Sequence, residues 1–435
     1  MRSVLSKLAS LLSASFFVHG SNKAITTMIG ITIAISGGRQ SDVAMIAACY
    51  SLGFITGCFL APIQIRRVGL IRAFAAATAA MTIAIVALDI TGGVVAWSVL
   101  RFLMGLSIAI VLAVSDSWIN DRAPRDKRGQ VIAIQAIVVG LAAIASQLVF
   151  LLTDGDAEGF VLVFAITMNA GVVFVALTSA SEPTITVRPV QRKDLFTGVP
   201  LTPGVNAFAS GFVTTSFISV APFALTTAGL EENRVAIMLA ALYCGRLVFQ
   251  WPVGWVSDRL DRRWVLFGLA AGTSALMMLQ LLGPGGQGQY LGDATGPIHT
   301  IVALAWVFLL GGVIYPMYTV ASGLAFDRAE EGTLAQTSTT LLALSSTGAI
   351  VGPFTVMMVG EVAGSSALAI CLLVVCSLAA LVSFFKQSVS EAADQRAPIG
   401  VASPQSVEMA EATAELVEEK IEAREAEEVA GPTPL

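Results

Sequence analysis

The chain has 435 residues, of which 55% are hydrophobic and only 13% are charged, and its mean hydropathy is +0.79. These values exclude an ordinary water-soluble globule and predict that the lipid bilayer is its solvent. The net charge of −5 comes from the C-terminus, because eleven acidic and only three basic residues follow from Glu391 onward. The rest of the chain is therefore net positive.

Apolar segments separated by Gly, Pro, Asp and Arg follow one another between residues 8 and 385. They are apolar on all sides, which is typical of transmembrane helices, and each is long enough to cross a bilayer. Short alternating segments, which a β-barrel needs, are missing. We therefore predict an all-α integral membrane protein with twelve transmembrane helices, at 8–36, 41–63, 70–90, 94–119, 129–152, 160–180, 202–228, 233–256, 264–284, 298–325, 333–359 and 362–385.

A polar stretch at 181–200, with three prolines and three basic residues, divides the predicted helices into two sets of six. Its composition is typical of a linker between two membrane halves. The predicted organisation is an N-terminal six-helix bundle (1–180), a cytoplasmic linker (181–200), a C-terminal six-helix bundle (201–385) and an acidic cytoplasmic tail (386–435). The tail is expected to be solvated, and a partner-binding helix within it is the alternative.

The basic residues predict the orientation. Twenty of the 25 Lys and Arg residues fall in the termini or in the even-numbered connections, which become cytoplasmic if both termini are inside. We expect a multi-pass monomer in a bacterial-type cytoplasmic (inner) membrane, with the lipid bilayer as its environment and no nucleic-acid partner.

No cofactor, metal or catalytic constellation is predicted. The five cysteines lie in apolar segments without metal-type spacing, and the two histidines, His19 and His299, are far apart. There is no Ser-His-Asp or Cys-His arrangement and no Walker-type loop. We therefore expect a protein that is not an enzyme and is not driven by ATP.

Two loops suggest duplicated halves. Gly254 opens a loop with Asp258, Arg259, Asp261, Arg262 and Arg263, and about 200 residues earlier Gly57 opens one with Arg66, Arg67 and Arg72. The later loop resembles the Gly-x-x-x-Asp-Arg-x-Gly-Arg-Arg signature of the major facilitator superfamily, with Asp261 in place of the second Gly. The earlier loop departs more, since Ala61 stands where the Asp is expected.

Further motifs resemble the YcaD-like branch of that superfamily. Arg101-Phe-Leu-Met-Gly105 is similar to the family's Arg-x-x-x-Gly element, and three other stretches are similar to the branch: Asp116-Ser-Trp118-Ile-Asn120, Gln250-Trp251-Pro252-Val-Gly254 and Tyr315-Pro316. The resemblance covers residues 8–385. It implies the major facilitator fold, two six-helix bundles with inverted repeats.

Three basic residues lie within predicted spans, where a charge is costly and usually functional. In the first helix, His19, Asn22, Lys23 and Thr26 share one face, and we expect this face to line an aqueous cavity. A lysine that snorkels or is neutralised in a helix contact is the alternative.

Arg246 shares a face with Tyr243 and Gln250 and lies roughly 12 Å inside Gly254. Two roles are open for Arg246: it binds a substrate carboxylate, or it forms a structural hydrogen bond to a backbone carbonyl. For Arg101 the resemblance implies a role in coupling or cavity electrostatics, and a structural bond to the first or second helix competes with it.

Tyr315 and Tyr318 share a face with Gly311 and Ser322 beside a kink at Pro316, and they are candidates to close over a small solute. Simple packing is the alternative. Softer candidates are polar residues that commonly join helices, namely Asn206, Ser210, Thr214, Gln336, Thr339 and Thr340.

The loop residues Asp258, Arg259, Arg262 and Arg263, together with Asp116, predict a conformational latch whose charges pair in only one state. A purely topological role of the arginines is the alternative.

No Asp or Glu lies near the midpoint of a predicted span, so a cavity containing Lys23, Arg101 and Arg246 favours anions. We expect a secondary active transporter of a small carboxylate-like organic anion, working by proton symport or facilitated diffusion. The predicted substrate-binding residues are Lys23, Asn22, His19, Arg101, Arg246, Tyr315, Tyr318 and Gln250, and protons would act through Lys23 and His19. Efflux of amphipathic or neutral compounds and a non-transporting assembly role remain alternatives.

Overall fold

The computed structural model describes residues 2–122, 128–152, 157–176, 199–282, 297–329 and 334–385. Every regular element in these ranges is helical, which confirms the all-α prediction there. Most of the predicted linker and the whole predicted tail lie outside the described residues. The helices are α1 (Arg2–Ile35), α2 (Gln40–Val68), α3 (Leu70–Ile90), α4 (Val94–Arg122), α5 (Arg128–Leu148), α6 (Ala157–Ala176), α7 (Leu201–Thr227), α8 (Glu232–Ser257), α9 (Arg262–Leu282), α10 (Pro297–Ile314), α11 (Pro316–Phe326), α12 (Leu334–Ala363) and α13 (Ala367–Phe385).

The described helices are suited to a bilayer. Nine helical stretches among the described residues are long and apolar enough to cross it. One of these, Thr337–Phe385, contains parts of both α12 and α13, and Thr300–Phe326 contains parts of α10 and α11. The transmembrane character is confirmed, and the exact count of twelve spans stays a prediction.

Several helix ends lie a few residues from their predicted positions, and glycines account for two of them. Helix α2 continues through Pro62 to Val68 and stops where Gly69 takes a φ of 83°. Helix α12 likewise continues to Ala363, before Gly364 takes a φ of 56°. Glycine adopts such left-handed backbone without a steric penalty. These two helices therefore end at Gly69 and Gly364, and not at the proline or polar residues that precede them.

The predicted kink at Pro316 is present. Helix α10 ends at Ile314, Tyr315 forms a turn, and α11 begins at Pro316. Proline has no backbone N–H and its ring crowds the carbonyl four residues earlier, so the helical hydrogen-bond pattern is interrupted here, whereas α2 continues through Pro62.

The same helix pairs pack in both halves of the chain. Helix α2 packs on α4 as α8 packs on α10, α3 on α6 as α9 on α13, and α1 on α5 as α7 on α12. The two halves meet where α1 contacts α7, α2 contacts α12 and α5 contacts α8. This repeated packing supports the duplication that the two loops suggested.

Glycines make the closest of these contacts possible. In the first half, a Cβ on Gly53 of α2 or on Gly105 of α4 would overlap a backbone carbonyl of the partner helix. The second half repeats this arrangement with Gly245 of α8 and Gly311 of α10. Small residues let transmembrane backbones approach closely, which increases van der Waals contact in an environment without a hydrophobic driving force.

The substitution Gly245→Ala should destabilise the protein by about 1–3 kcal/mol, because the new methyl group overlaps the Phe308 carbonyl and must part α8 from α10. Gly254→Ala on the same helix is the matched control. No atom lies within 4 Å of its new Cβ, so stability should be unchanged or rise by up to about 1 kcal/mol. Thermal unfolding in detergent measures both, and an equal loss in the two variants would contradict the packing argument.

Candidate functional site

A cavity of about 190 Å³ lies between the two halves. Its wall is formed by α1, α2, α4 and α5 on one side and by α7, α8, α12 and the α10–α11 break on the other. Because both halves contribute, a rocking motion of one half against the other would reshape this space.

Helix α1 presents most of its predicted polar face to the cavity. His19, Asn22 and Lys23 all line it, while Thr26 bonds to Arg101 outside the cavity wall. His19 and Asn22 are each at least 95% buried, and His19 Nε2 and Asn22 Oδ1 have no hydrogen-bond partner among the described residues. These two atoms are therefore available to a solute or to water.

Lys23 and Arg246 lie in the wall of the same cavity, on opposite halves of the protein. Within the part of the chain that the structure describes, neither side chain forms an ion pair or a hydrogen bond. The bond to a backbone carbonyl that competed for Arg246 is thus not observed. Instead its Cζ lies 4.8 Å from the centroid of the Tyr315 ring, a cation–π contact that leaves the N–H donors open.

No acidic residue occurs among the described residues that line the cavity. Two cations without a counter-charge in a space surrounded by hydrocarbon create a strongly positive potential, since little solvent is present to screen it. The cavity therefore favours a negatively charged occupant.

Arg101 does not line the cavity. Its guanidinium donates to Thr26 Oγ1 at 3.0 Å and lies 4.2 Å from the centroid of the Tyr50 ring. These contacts with α1 and α2 match the alternative in which Arg101 has a structural role. The sequence could not decide between the two roles, because the direction of a side chain on α4 depends on how that helix is rotated against its neighbours.

Tyr50 connects Arg101 to the cavity and was not singled out from the sequence. Its hydroxyl accepts a hydrogen bond of 2.8 Å from Asn22 Nδ2, and its ring forms the cation–π contact with the Arg101 guanidinium. Tyr50 itself lines the cavity. A polar aromatic residue near the middle of an apolar span was the available signal.

Tyr315 and Tyr318 both line the cavity, as predicted from their shared face. Gln250, one turn beyond Arg246 on α8, is buried but is not part of the cavity wall. The remaining members of the tyrosine face serve packing instead: Gly311 touches the Leu242 carbonyl, and the Ser322 hydroxyl donates to the Tyr318 carbonyl.

The softer candidates separate into two groups. Ser210 and Thr214 line the cavity, whereas Asn206 joins α7 to α13 through a 2.9 Å bond to Ser383. Thr339 and Thr340 lie outside the wall, and the side chain of Gln336 lies outside the described residues. Thr215, Ser345 and Ser346 also line the cavity and were not predicted from the sequence.

The predicted latch is centred on Arg262. Its side chain is 2% exposed and reaches Asp258 at 3.5 Å and Asp327 at 3.1 Å. Asp327, at the end of α11, was not among the predicted latch residues. Arg262 therefore ties the start of α9 to the ends of α8 and α11.

The other latch residues are held locally. Arg263 lies 4.0 Å from Asp261, and Arg259 stacks 3.7 Å from the centroid of the Trp255 ring. Asp116 is buried on α4, and its Oδ2 has no hydrogen-bond partner among the described residues. In this conformation Asp116 forms no ion pair with a described residue.

Comparisons with known proteins agree with this architecture. A family model described as Major Facilitator Superfamily matches residues 11–207. The chain is 22% identical over 341 residues to a protein of Escherichia fergusonii named "Uncharacterized MFS-type transporter YcaD", covering 77% of this chain and 84% of that protein.

Solved structures show the same fold. The nucleoside transporter NupG superposes with a TM-score of 0.66 at 13% identity, covering 87% of this chain and all of that one. The xylose transporter XylE from E. coli superposes with a TM-score of 0.63 at 15% identity, covering 90% of this chain and all of that one. The described helices therefore adopt the major facilitator fold.

The substitution Asp327→Asn should lower stability by about 2 kcal/mol, because it removes one carboxylate from the buried Arg262 guanidinium. The loss should be smaller than the roughly 3–5 kcal/mol of a fully buried pair, since the Asp327 side chain is 17% exposed. Asp261→Asn, at 48% exposure, is the control and should change stability by less than about 1 kcal/mol. Chemical unfolding in detergent measures the two variants, and equal stabilities would argue against a central role of Arg262.

Proposed function

We propose that this chain, which is similar to the major facilitator superfamily and shares its fold, is a secondary active transporter of a small, carboxylate-like organic anion that crosses by alternating access. The observation that carries the proposal is the pair of cations, Lys23 and Arg246, that line one cavity without an acidic partner among the described residues. The protein is a transporter and not an enzyme.

The two cations suit complementary parts of an anion. Arg246 offers a planar fork of N–H donors that matches both oxygens of a carboxylate, and its Cζ lies 4.8 Å from the centroid of the Tyr315 ring. Lys23 acts as a mobile point charge on the opposite half. An anion between them would link the two halves, so its binding favours a closed, occluded state.

The cavity argues against efflux of amphipathic compounds. Its volume of about 190 Å³ is below the roughly 300–1,000 Å³ of pockets that bury drug-sized ligands. Recognition of a lipophilic cation would also need a carboxylate in the cavity wall. The charged side chains among the described wall residues are all basic. A non-transporting assembly role gives no reason to keep unpaired charges in a central cavity.

Alternating access needs contacts that can open at either end of the molecule. Towards one end the halves touch closely, since a Cβ on Gly30 would lie 2.9 Å from Pro222 and one on Gly360 would lie 3.2 Å from Gln40. The proposed latch of Asp258, Arg259, Arg262, Arg263 and Asp116 is at the opposite end. We assign that end to the cytoplasm of a bacterial inner membrane, with both termini inside and the protein a monomer.

Proton coupling is assigned to Lys23 together with His19, which lies one helical turn away in the same wall. A lysine can release its proton in a site that repels positive charge, and it takes one up when an anion arrives. Substrate and proton would thus enter together. If Lys23 stays charged throughout, the same cavity supports facilitated diffusion.

Arg246→Gln and Lys23→Met should each weaken the binding of small monocarboxylates by at least tenfold, because each removes one of the two charges that hold the anion. Arg234→Gln is the matched control on α8. Arg234 is about half exposed and lies 3.9 Å from Glu231, far from the cavity, so its loss should leave affinity unchanged. Calorimetric titration of the purified protein with a carboxylate panel gives the affinities. Unchanged carboxylate affinity in both cavity variants would overturn the anion proposal.

Lys23→Arg separates binding from proton coupling. Arginine keeps the positive charge but does not release its proton in proteins. Exchange of labelled substrate for unlabelled substrate across proteoliposomes should continue, while accumulation driven by a pH gradient should fall at least tenfold. If the variant still accumulates substrate on a pH gradient, Lys23 is not the proton carrier.

A further inference from the structure

The wall of the cavity opposite Lys23 carries a row of hydroxyl groups. Ser210, Thr214 and Thr215 lie on one face of α7, and Ser345 and Ser346 lie on the neighbouring face of α12. We call these five residues the hydroxyl ledge. On α7, Ser210 and Thr214 are four residues apart and Thr215 follows directly, so all three hydroxyls lie on the same side of that helix.

The contact between the two helices draws the ledge together. A Cβ on Gly211 would overlap the backbone carbonyl of Ser345, and one on Gly348 would overlap that of Phe208. The α7 and α12 backbones are therefore in direct contact at the level of the ledge. Such close packing fixes the relative positions of the hydroxyls on the two helices.

The ledge hydroxyls are available for hydrogen bonds. Many hydroxyls elsewhere in the helices donate to the carbonyl four residues earlier, as Thr78, Ser115 and Ser322 do at 2.7–2.9 Å. None of the five ledge side chains makes such a bond or any other hydrogen bond with a described residue. Hydroxyls that are held away from their own backbone and face a cavity have water or a solute as their remaining partners.

Other polar atoms around the cavity are open as well: those of His19 and Asn22 lie on the half opposite the ledge, and that of Tyr318 lies on the same half. His19 Nε2, Asn22 Oδ1 and the Tyr318 hydroxyl are buried, line the cavity and have no partner among the described residues. A simple alkyl carboxylate would satisfy Lys23 and Arg246 but would leave these groups and the ledge against a hydrocarbon chain. Burying unpaired polar groups in this way costs binding free energy.

We propose that the transported anion is a polyhydroxylated carboxylate, of the sugar-acid class, whose carboxylate lies between Lys23 and Arg246 and whose hydroxyls bond to the ledge. This inference rests on the proposed function and makes it more specific. The cations recognise the charge, and the ledge recognises the rest of the molecule.

Three six-carbon probes separate the two parts of the site. Gluconate has the charge and the hydroxyls, hexanoate has only the charge, and glucitol has only the hydroxyls. Calorimetric titration of the full-length protein should give an affinity for gluconate at least tenfold above that for hexanoate, with glucitol weaker than gluconate by a similar factor. Each hydrogen bond of ordinary strength is worth a several-fold change in affinity.

Variants locate the effect on the ledge. Thr214→Val and Ser345→Ala remove single hydroxyls, and each should weaken gluconate binding about three- to tenfold while leaving hexanoate binding unchanged. Hexanoate affinity thereby reports that the variants are folded. Thr347→Val is the matched control on α12, because the Thr347 hydroxyl already donates to the Ala343 carbonyl at 2.7 Å and lies outside the cavity wall.

The possible failures are distinguishable. Equal affinities for gluconate and hexanoate, or ledge variants that weaken both equally, would overturn the hydroxyl proposal and leave the anion proposal intact. Glucitol binding as tightly as gluconate would overturn the anion proposal while supporting recognition by the ledge. Absence of binding for all three probes would overturn both.

Discussion

Hydrocarbon cannot form hydrogen bonds, and this constraint governs the whole molecule. Each backbone N–H and C=O must be satisfied inside its own segment, so the described chain is built from helices. Side chains are under the same constraint, because an unpaired polar group facing lipid is costly. For the basic residues discussed above, two outcomes are observed: some are held by contacts with neighbouring residues, and others face the cavity.

The basic residues illustrate both outcomes. Arg262 lies between two carboxylates, and Arg101 is held by Thr26 and the ring of Tyr50. Lys23 and Arg246 form no ion pair or hydrogen bond with a described residue, although Arg246 contacts the Tyr315 ring, and they line the cavity from opposite halves of the protein. All four side chains are cationic and lie within or beside membrane spans. Only Lys23 and Arg246, which form no ion pair or hydrogen bond with a described residue, have donors free to bind a solute.

Glycine contacts provide the frame that holds these residues in place. The pairs formed by Gly53 with Gly105 and by Gly245 with Gly311 bring two helices of each half into backbone contact, and Gly211 does the same for α7 and α12. The contacts between the halves, such as Gly30 against Pro222, involve fewer interlocked backbones and are suited to opening.

The sequence by itself indicated the bilayer as solvent, the helical fold, the resemblance to the major facilitator superfamily and the basic residues within the spans, because apolar run length, glycine and proline positions and intramembrane cations can be identified from local sequence. It also grouped His19, Asn22 and Lys23 on one helix face and Tyr315 and Tyr318 on another, and all five line the cavity. Only the tertiary structure decided that Arg246 is open, that Arg101 and Gln250 lie outside the wall, and that Tyr50 and the hydroxyl ledge belong to it. Those distinctions depend on how each helix is rotated against its neighbours, which is set by contacts between residues hundreds of positions apart.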